Sequence, residues 1–137
     1  MATFFLGVGN TRISNYQEAR TFFARNLHEF RKKNSIAAFF AWQGLAFFRF
    51  FCGEFQKTVN YAERAAALAN KLDFVYGQVI ALDLLAHASV QTGQVRRGLK
   101  LFQEALSLAR KIGNGGIEAA IQMALLRFRA MHGIEPT

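Results

Sequence analysis

The 137-residue chain contains one proline and one cysteine, and its acidic residues number 9 against 17 basic ones. Because proline interrupts helices, its scarcity leaves room for long helical segments. The single cysteine, Cys52, excludes a disulfide within the chain, and its neighbours Phe51 and Gly53 predict a buried position. The three histidines lie far apart with no ligand spacing, so we expect neither a metal site nor a cofactor.

The sequence also lacks the short motifs of catalysis: it contains no P-loop, no nucleophile elbow, no HExxH and no CxxC. The glycine-rich segment 113–116 precedes a helical pattern and could hold an anion at a helix N-terminus. No lysine follows it as a P-loop requires, so we interpret it as a turn. The acidic residues are dispersed and typical of solvated helix faces. We therefore do not expect an enzyme.

The formal charge of +8 admits a solvated basic surface, an acidic protein partner or nucleic acid. Basic residues cluster only at 31–33 and 96–97, near predicted helix ends, and the cluster 31–33 falls in a last turn, where cations complement the helix dipole. This favours a solvated surface over nucleic acid. The N-terminus lacks a signal peptide, and the apolar stretch 36–52 is interrupted by Gln43 and Arg49 and slightly short for a membrane span. We expect a soluble, cytoplasmic protein without a membrane span.

An internal repeat is the main positive feature, because Gly53, Gly93 and Gly133 are forty residues apart. The same shift places Leu45-Ala46 on Leu85-Ala86 and then on Leu125-Leu126. Apolar residues recur at helical spacing on both sides of each glycine, which predicts a unit of helix, glycine turn and helix.

The repeat predicts six helices, at about 15–33, 35–52, 54–71, 74–92, 94–111 and 115–132. Asn34, Asp73 and the segment 113–116 mark the turns between units. The repeat domain covers 15–133, between an N-terminal extension 1–14 and a tail 134–137. Small residues predict close contacts between paired helices: Ala46, Ala65, Ala86, Ala105 and Gly98.

This pattern resembles the tetratricopeptide (TPR) repeat, in its longer variety of about 40 residues that is common in bacterial regulators. The residues that carry the resemblance are Trp42, Leu45-Ala46, Gly53, Phe55 and Ala65 in one unit, and Leu82, Leu85-Ala86, Gly93, Gly98, Phe102 and Ala105 in the next. The resemblance implies an all-α fold of tandem helix-turn-helix repeats stacked as a right-handed α-solenoid. It implies a scaffold that binds a protein or peptide partner.

The resemblance also implies a concave binding surface lined by the first helix of each pair. Its candidate residues are Phe40, Gln43, Phe47, Phe50 and Phe51 on the first lining helix, Ile80, Asp83, His87, Val90 and Gln91 on the second, and Ala120, Met123, Arg127, Ala130 and Met131 on the third. Asp83 and His87 lie one helical turn apart, where their side chains could form a hydrogen bond. The seven aromatic residues of 35–52 exceed what a two-layer core can bury, so some should stay accessible.

The last predicted helix carries Ile121, Leu125 and Phe128, and no helix follows it in the sequence. An apolar surface of this kind predicts a homodimer or a higher homo-oligomer, with these residues near the interface. A longer parent chain that supplies the missing helix is the rival explanation. Two other functions remain open: a small-ligand sensor domain of a bacterial regulator, and a basic nucleic-acid-binding repeat.

Overall fold

The structure, a computed structural model, describes residues 17, 18, 20, 21, 24, 25 and 35–134. Between 35 and 134 it contains no strand, and its helices are α1 (Ile36–Phe51), α2 (Phe55–Lys71), α3 (Val75–Gln91), α4 (Val95–Lys111) and α5 (Gly115–Met131). These confirm the last five of the six predicted helices. The described positions of the predicted helix 15–33 are helical. The rest of that helix, Asn34, the extension 1–14 and residues 135–137 lie outside the described residues.

The helices end in one shared turn. Its left-handed residue has a positive φ in every case: Gly53 (76°), Asp73 (54°), Gly93 (88°), Gly113 (67°) and Gly133 (65°). After α3, the Gln94 N–H donates to the Ser89 carbonyl at 2.8 Å and the Gly93 N–H to the Val90 carbonyl at 3.1 Å. This is the Schellman motif, which satisfies the last carbonyls of a helix. The turn at Asp73, predicted as a boundary between units, has the same geometry as the glycine turns within units.

Polar side chains begin two of the helices. The Ser35 hydroxyl accepts from the Ala38 N–H at 3.2 Å, and the Asn114 side-chain oxygen accepts from the Ile117 N–H at 3.1 Å. The second cap uses a free donor of the first turn of α5. Of the segment 113–116, interpreted as a turn, Gly113 and Asn114 precede the helix, whereas Gly115 and Gly116 belong to α5. Cys52 was predicted to be buried, and this was wrong. It is the exposed C-cap of α1, outside the contact between helices.

Successive helices pack as hairpins, and small residues form the contacts between them. The four alanines predicted at these contacts are fully buried, which confirms that prediction: Ala46, Ala65, Ala86 and Ala105. The approach of α4 to α3 is closer still at Gly98. A Cβ atom on Gly98 would lie 2.9 Å from the Ala86 carbonyl oxygen, so this contact requires glycine.

Contacts between alternate helices order the stack into two layers. The Gln43 amide donates to the Ile80 carbonyl at 3.4 Å, which links α1 to α3. The rings of His87 and Phe128 are 5.7 Å apart and link α3 to α5. Arg97 of α4 contacts Glu63 of α2 at 3.2 Å. The first helices of the pairs therefore form one layer, α1, α3 and α5, and α2 and α4 form the other.

Candidate functional site

The aromatic residues of α1 divide between the core and an accessible surface. Phe48 is buried, and the half-buried Trp42 stacks on Tyr61 of α2 with ring centroids 5.8 Å apart. The Trp42 ring therefore faces the second layer. The remaining aromatic side chains stay partly or largely accessible: Phe40, Phe47 and Phe50 are half-buried and Phe51 is 49% exposed. Packing within the described part of the chain therefore leaves α1 with an aromatic surface.

Equivalent positions recur on α3 and α5 after one and two periods of forty residues. The side chains at these positions are together named the lining surface. They are Phe40, Gln43, Phe47, Phe50 and Phe51 of α1, Ile80, Asp83, His87, Val90 and Gln91 of α3, and Ala120, Met123, Arg127, Ala130 and Met131 of α5. The Phe50 and His87 rings lie 6.4 Å apart, so α1 and α3 contribute to one continuous surface. At its α5 end Met123 is 72% exposed.

Two members of the predicted set lie below the surface. Gln43 is only 3% exposed, because its side chain is inserted between α1 and α3, where its amide bonds Ile80. Its Oε1 atom is buried without a hydrogen-bond partner. Val90 is buried as well. The assignment of Gln43 to partner contact is therefore corrected: this residue joins two lining helices.

Asp83 and His87 are the titratable pair at the centre of the lining surface. The His87 Nε2 and Asp83 Oδ1 atoms are 3.6 Å apart, which is too long for the predicted hydrogen bond. The imidazole packs edge-on against Phe102 at 4.8 Å between ring centroids. Burial, and secondly the charge of Arg127, lower the pKa of His87. Burial raises the pKa of Asp83 to about 6.

These two pKa shifts determine the charge of the centre. At neutral pH the imidazole of His87 is mostly uncharged and the carboxyl of Asp83 is mostly ionised. Arg127 of α5 acts on His87 through its charge, and its guanidinium lies over the Phe128 ring at 4.7 Å. Arg127 and Gln91 are both exposed, as contact with a partner would require. The lining surface therefore has an anionic centre and a cation at its α5 end.

The residues predicted for self-association are in the core. Ile121, Leu125 and Phe128 are buried among residues of α3 and α4, and the Phe128 ring stacks on Phe102 with centroids 5.8 Å apart. They cannot reach a second subunit, because both neighbouring helices cover them. The apolar side chains that α5 exposes are others: Met123, Leu126 and Met131. This corrects the residues of the predicted interface.

Leu126 is the member of that set which sequence reasoning missed. The forty-residue alignment places it on Ala46 and Ala86, both fully buried, whereas Leu126 is 61% exposed. The sequence did contain a signal for this exposed residue, because position 126 is leucine where the two preceding periods have alanine. At Ala86, helix α4 of the second layer lies so close to the backbone of α3 that a Cβ atom on Gly98 would meet the Ala86 carbonyl oxygen. A leucine at this position does not permit that approach.

The basic cluster 96–97 lies in the first turn of α4. Arg97 contacts Glu63 at 3.2 Å, so half of the cluster is paired with an acid. A depression of about 510 Å³ beside it is lined by polar and apolar residues: Gly93, Gln94, Val95, Arg96, Arg97, His132 and Ile134. It is open to solvent, unlike the closed apolar pocket that suits a small apolar ligand. The cluster 31–33 lies outside the described residues.

Comparisons with known proteins identify the fold. No protein-family model and no curated protein matches the chain. A crystal structure of nearly identical TPR-like repeats that carry a kinesin light chain name, from Podosopora anserina, matches with a TM-score of 0.84 and 18% identity over 97% of this chain. A substituted variant of those repeats matches with a TM-score of 0.82. The chain spans 66% of the length of either solved chain.

The protein has an all-α fold of the TPR-like repeat class, which confirms the resemblance found in its sequence. At 18% identity the comparison establishes the architecture and says nothing of a partner. Within the described ranges, no helix is long and apolar enough to cross a membrane. The same residues include no cluster of three or more His, Cys, Asp or Glu side chains that could hold a metal ion.

Proposed function

We propose that the chain acts in the cytoplasm as a non-enzymatic interaction module that binds an apolar segment of another protein on its lining surface. The aromatic surface of α1 supports this most directly. Phe40, Phe47 and Phe50 are half-buried and Phe51 is 49% exposed, so all four rings keep apolar surface that the described part of the chain does not cover. Contiguous apolar surface on a soluble protein typically marks a binding site.

An amphipathic helix is the occupant that this surface suits best. The lining layer presents three parallel ridges of side chains, α1, α3 and α5, and apolar grooves of this kind receive a helix through anchors spaced three or four residues apart. We expect Phe47 to be a central anchor. Its ring lies 5.0 Å from that of Phe51, so the two rings together form the accessible edge of α1. Aromatic anchors usually dominate the binding free energy.

The test uses peptides selected on the wild-type chain from a displayed library of amphipathic helices. Truncating an aromatic anchor typically costs about 2 kcal/mol, so Phe47→Ala should weaken binding by roughly 30-fold in fluorescence anisotropy. Ile112→Ala is the matched control, because Ile112 is an exposed apolar residue at the end of α4, away from the lining surface. Circular dichroism should show the same helix content for both variants. If no selected peptide depends on Phe47, this function is wrong.

We further propose that α5 mediates self-association through Met123, Leu126 and Met131. These three side chains are 72%, 61% and 66% exposed and lie on one helix. A two-fold dimer lets one apolar patch cover its own copy, which is the commonest arrangement of homo-oligomers. Leu126→Glu should shift light scattering of the full chain towards a monomer, whereas Gln122→Glu, an exposed polar position on α5, should not. A wild-type chain that is monomeric at high micromolar concentration would contradict this proposal.

A further inference from the structure

The anionic centre of the lining surface has no strong cationic partner. Helices α1, α3 and α5 contain two acidic residues, Asp83 and Glu118. Glu118 accepts a hydrogen bond from Arg110 of α4 at 2.9 Å. Among the described residues, Asp83 has only His87 within ion-pair distance. The lining surface thus holds a single carboxylate that no lysine or arginine of the described chain neutralises.

His87 does not supply the missing charge. Its ring is enclosed by aromatic side chains, with centroid distances of 4.8 Å to Phe102, 5.7 Å to Phe128 and 6.4 Å to Phe50. This packing favours the neutral imidazole, and the nearby Arg127 favours it further, so the pKa of His87 is lowered. The 3.6 Å separation from Asp83 also leaves the carboxylate without a hydrogen bond from the imidazole.

The position of Asp83 breaks the pattern of the repeats. The equivalent residues are Gln43, which is buried between α1 and α3, and Met123, which is exposed on α5. Neither carries a charge. Asp83 therefore adds a carboxylate, with a side chain 40% exposed, at the middle of an otherwise uncharged column. Its desolvation, visible in the raised pKa of its carboxyl, disfavours the ionised form until an opposite charge arrives.

We propose that the lining surface selects an amphipathic helical segment with a lysine or arginine within its apolar face, and that this cation binds the Asp83 carboxylate. Lysine and arginine suit the place, because their aliphatic stems pack on apolar surface while the charged head reaches the carboxylate. Phe50, whose ring lies 6.4 Å from that of His87, and the half-buried Phe47 provide apolar surface on the adjacent helix α1. An acidic segment would meet uncompensated negative charge at the same place and is disfavoured. This inference rests on the proposed function and specifies its partner.

The expected segment is short. Three neighbouring helices, with interaxial distances of about 8–10 Å, span roughly 20 Å, which a helix of about 14 residues covers. The probe is therefore a displayed library of amphipathic peptides of about 14 residues. One position in the middle of the apolar face varies through Lys, Arg, Gln, Leu and Glu.

The experiment measures enrichment and affinity on the full chain and on two variants. On the wild type, Lys and Arg should be enriched, and the best Lys peptide should bind about tenfold more tightly than its Gln twin, as a charge-assisted hydrogen bond allows. Asp83→Asn should abolish this preference. Glu118→Gln is the control, since it removes the same charge from α5 at a residue paired with Arg110, and it should keep the preference.

The outcomes separate this inference from the function it rests on. If selected peptides bind through Phe47 but show no preference for Lys or Arg, the partner assignment is wrong and the interaction module stands. Equal losses of preference in Asp83→Asn and Glu118→Gln would also overturn the assignment, because they would show a general effect of charge. If no peptide of the library binds in a Phe47-dependent manner, both the function and its partner are refuted.

Discussion

The contact between α3 and α4 at Gly98 makes a quantitative prediction, because it can be tested by adding one methyl group. A Cβ atom at residue 98 would lie 2.6 Å from Val90 Cγ2 and 2.9 Å from the Ala86 carbonyl oxygen. The Val90 methyl group can rotate away. The carbonyl oxygen belongs to the backbone of α3 and can move only with its helix, so Gly98→Ala must push α4 outward.

The expected cost combines two opposing effects. Overpacking of a core contact costs about 1–3 kcal/mol, and glycine to alanine in a helix interior gains about 0.5–1 kcal/mol. Because the added methyl group meets backbone, we take the upper half of the overpacking range, about 2–3 kcal/mol, so Gly98→Ala should lower the free energy of unfolding by about 1–2.5 kcal/mol. Gly116→Ala is the matched control, since its added methyl group would meet only the Asn114 side chain, at an ordinary 3.6 Å. It should raise the stability by up to about 0.5–1 kcal/mol.

Urea unfolding followed by far-UV circular dichroism measures both variants. With an m-value of about 2 kcal/mol/M, the midpoint should fall by roughly 0.5–1.25 M for Gly98→Ala and rise slightly for Gly116→Ala. The critical result is that the two midpoints shift in opposite directions, because both substitutions replace glycine by alanine. A Gly98→Ala chain as stable as the wild type would show that the approach of α4 does not require glycine and would refute this account of the contact.

Two further predictions concern a carboxylate and a turn. Asp83 has a raised pKa of about 6, so the folded chain binds its proton more tightly than the unfolded chain, and stability from this group is lost as pH rises from about 4 through about 6. The His87 shift, to which Arg127 contributes, acts in the opposite direction, so the difference between Asp83→Asn and wild type isolates the carboxyl. The Asp83 side chain is 40% exposed, so the expected effect is reduced for solvent screening. The free energy of unfolding of Asp83→Asn should exceed that of the wild type by about 1 kcal/mol at pH 7 and by less at lower pH. A difference that does not change with pH would contradict the raised pKa of Asp83. Asp73→Gly should stabilise the chain by about 0.5–1 kcal/mol in thermal unfolding and Gly93→Ala should destabilise it by about 1–2 kcal/mol, since both positions have a positive φ; equal effects would refute the shared turn.

The bounds of α1 to α5 were predicted from the sequence to within one residue, because the turns depend on local chemistry. Glycine two positions beyond a helix end adopts the left-handed conformation that closes a Schellman turn. The turn at Asp73 was predicted as a boundary between units but not as the same motif. Aspartate can adopt the left-handed conformation, but its presence in a sequence does not predict that conformation as a glycine does. Local sequence thus determines where each helix stops.

The side-chain assignments were less predictable, because burial depends on two neighbouring helices at once. Periodicity places Phe128 on an apolar face of α5 but does not show that α3 and α4 both cover it. From the sequence, Gln43 was likewise assigned to the lining surface as a polar residue. Only the contact with Ile80 of α3 shows that the Gln43 amide is inserted between two helices. Such burial depends on residues forty positions away, which no local window contains.

The repeat itself suggests where specificity lies in this chain. Positions that keep their residue type from one period to the next, such as Ala65 and Ala105, form helix contacts and are fully buried. Two positions that change type carry partly or largely exposed side chains: Asp83, between Gln43 and Met123, and Leu126, after Ala46 and Ala86. A partly buried charge costs desolvation, and a leucine in place of the recurring alanine prevents a helix from approaching as α4 approaches Ala86. These departures do not favour the fold by themselves, which agrees with the partner and the second copy of the chain that we propose for the surfaces on which they lie.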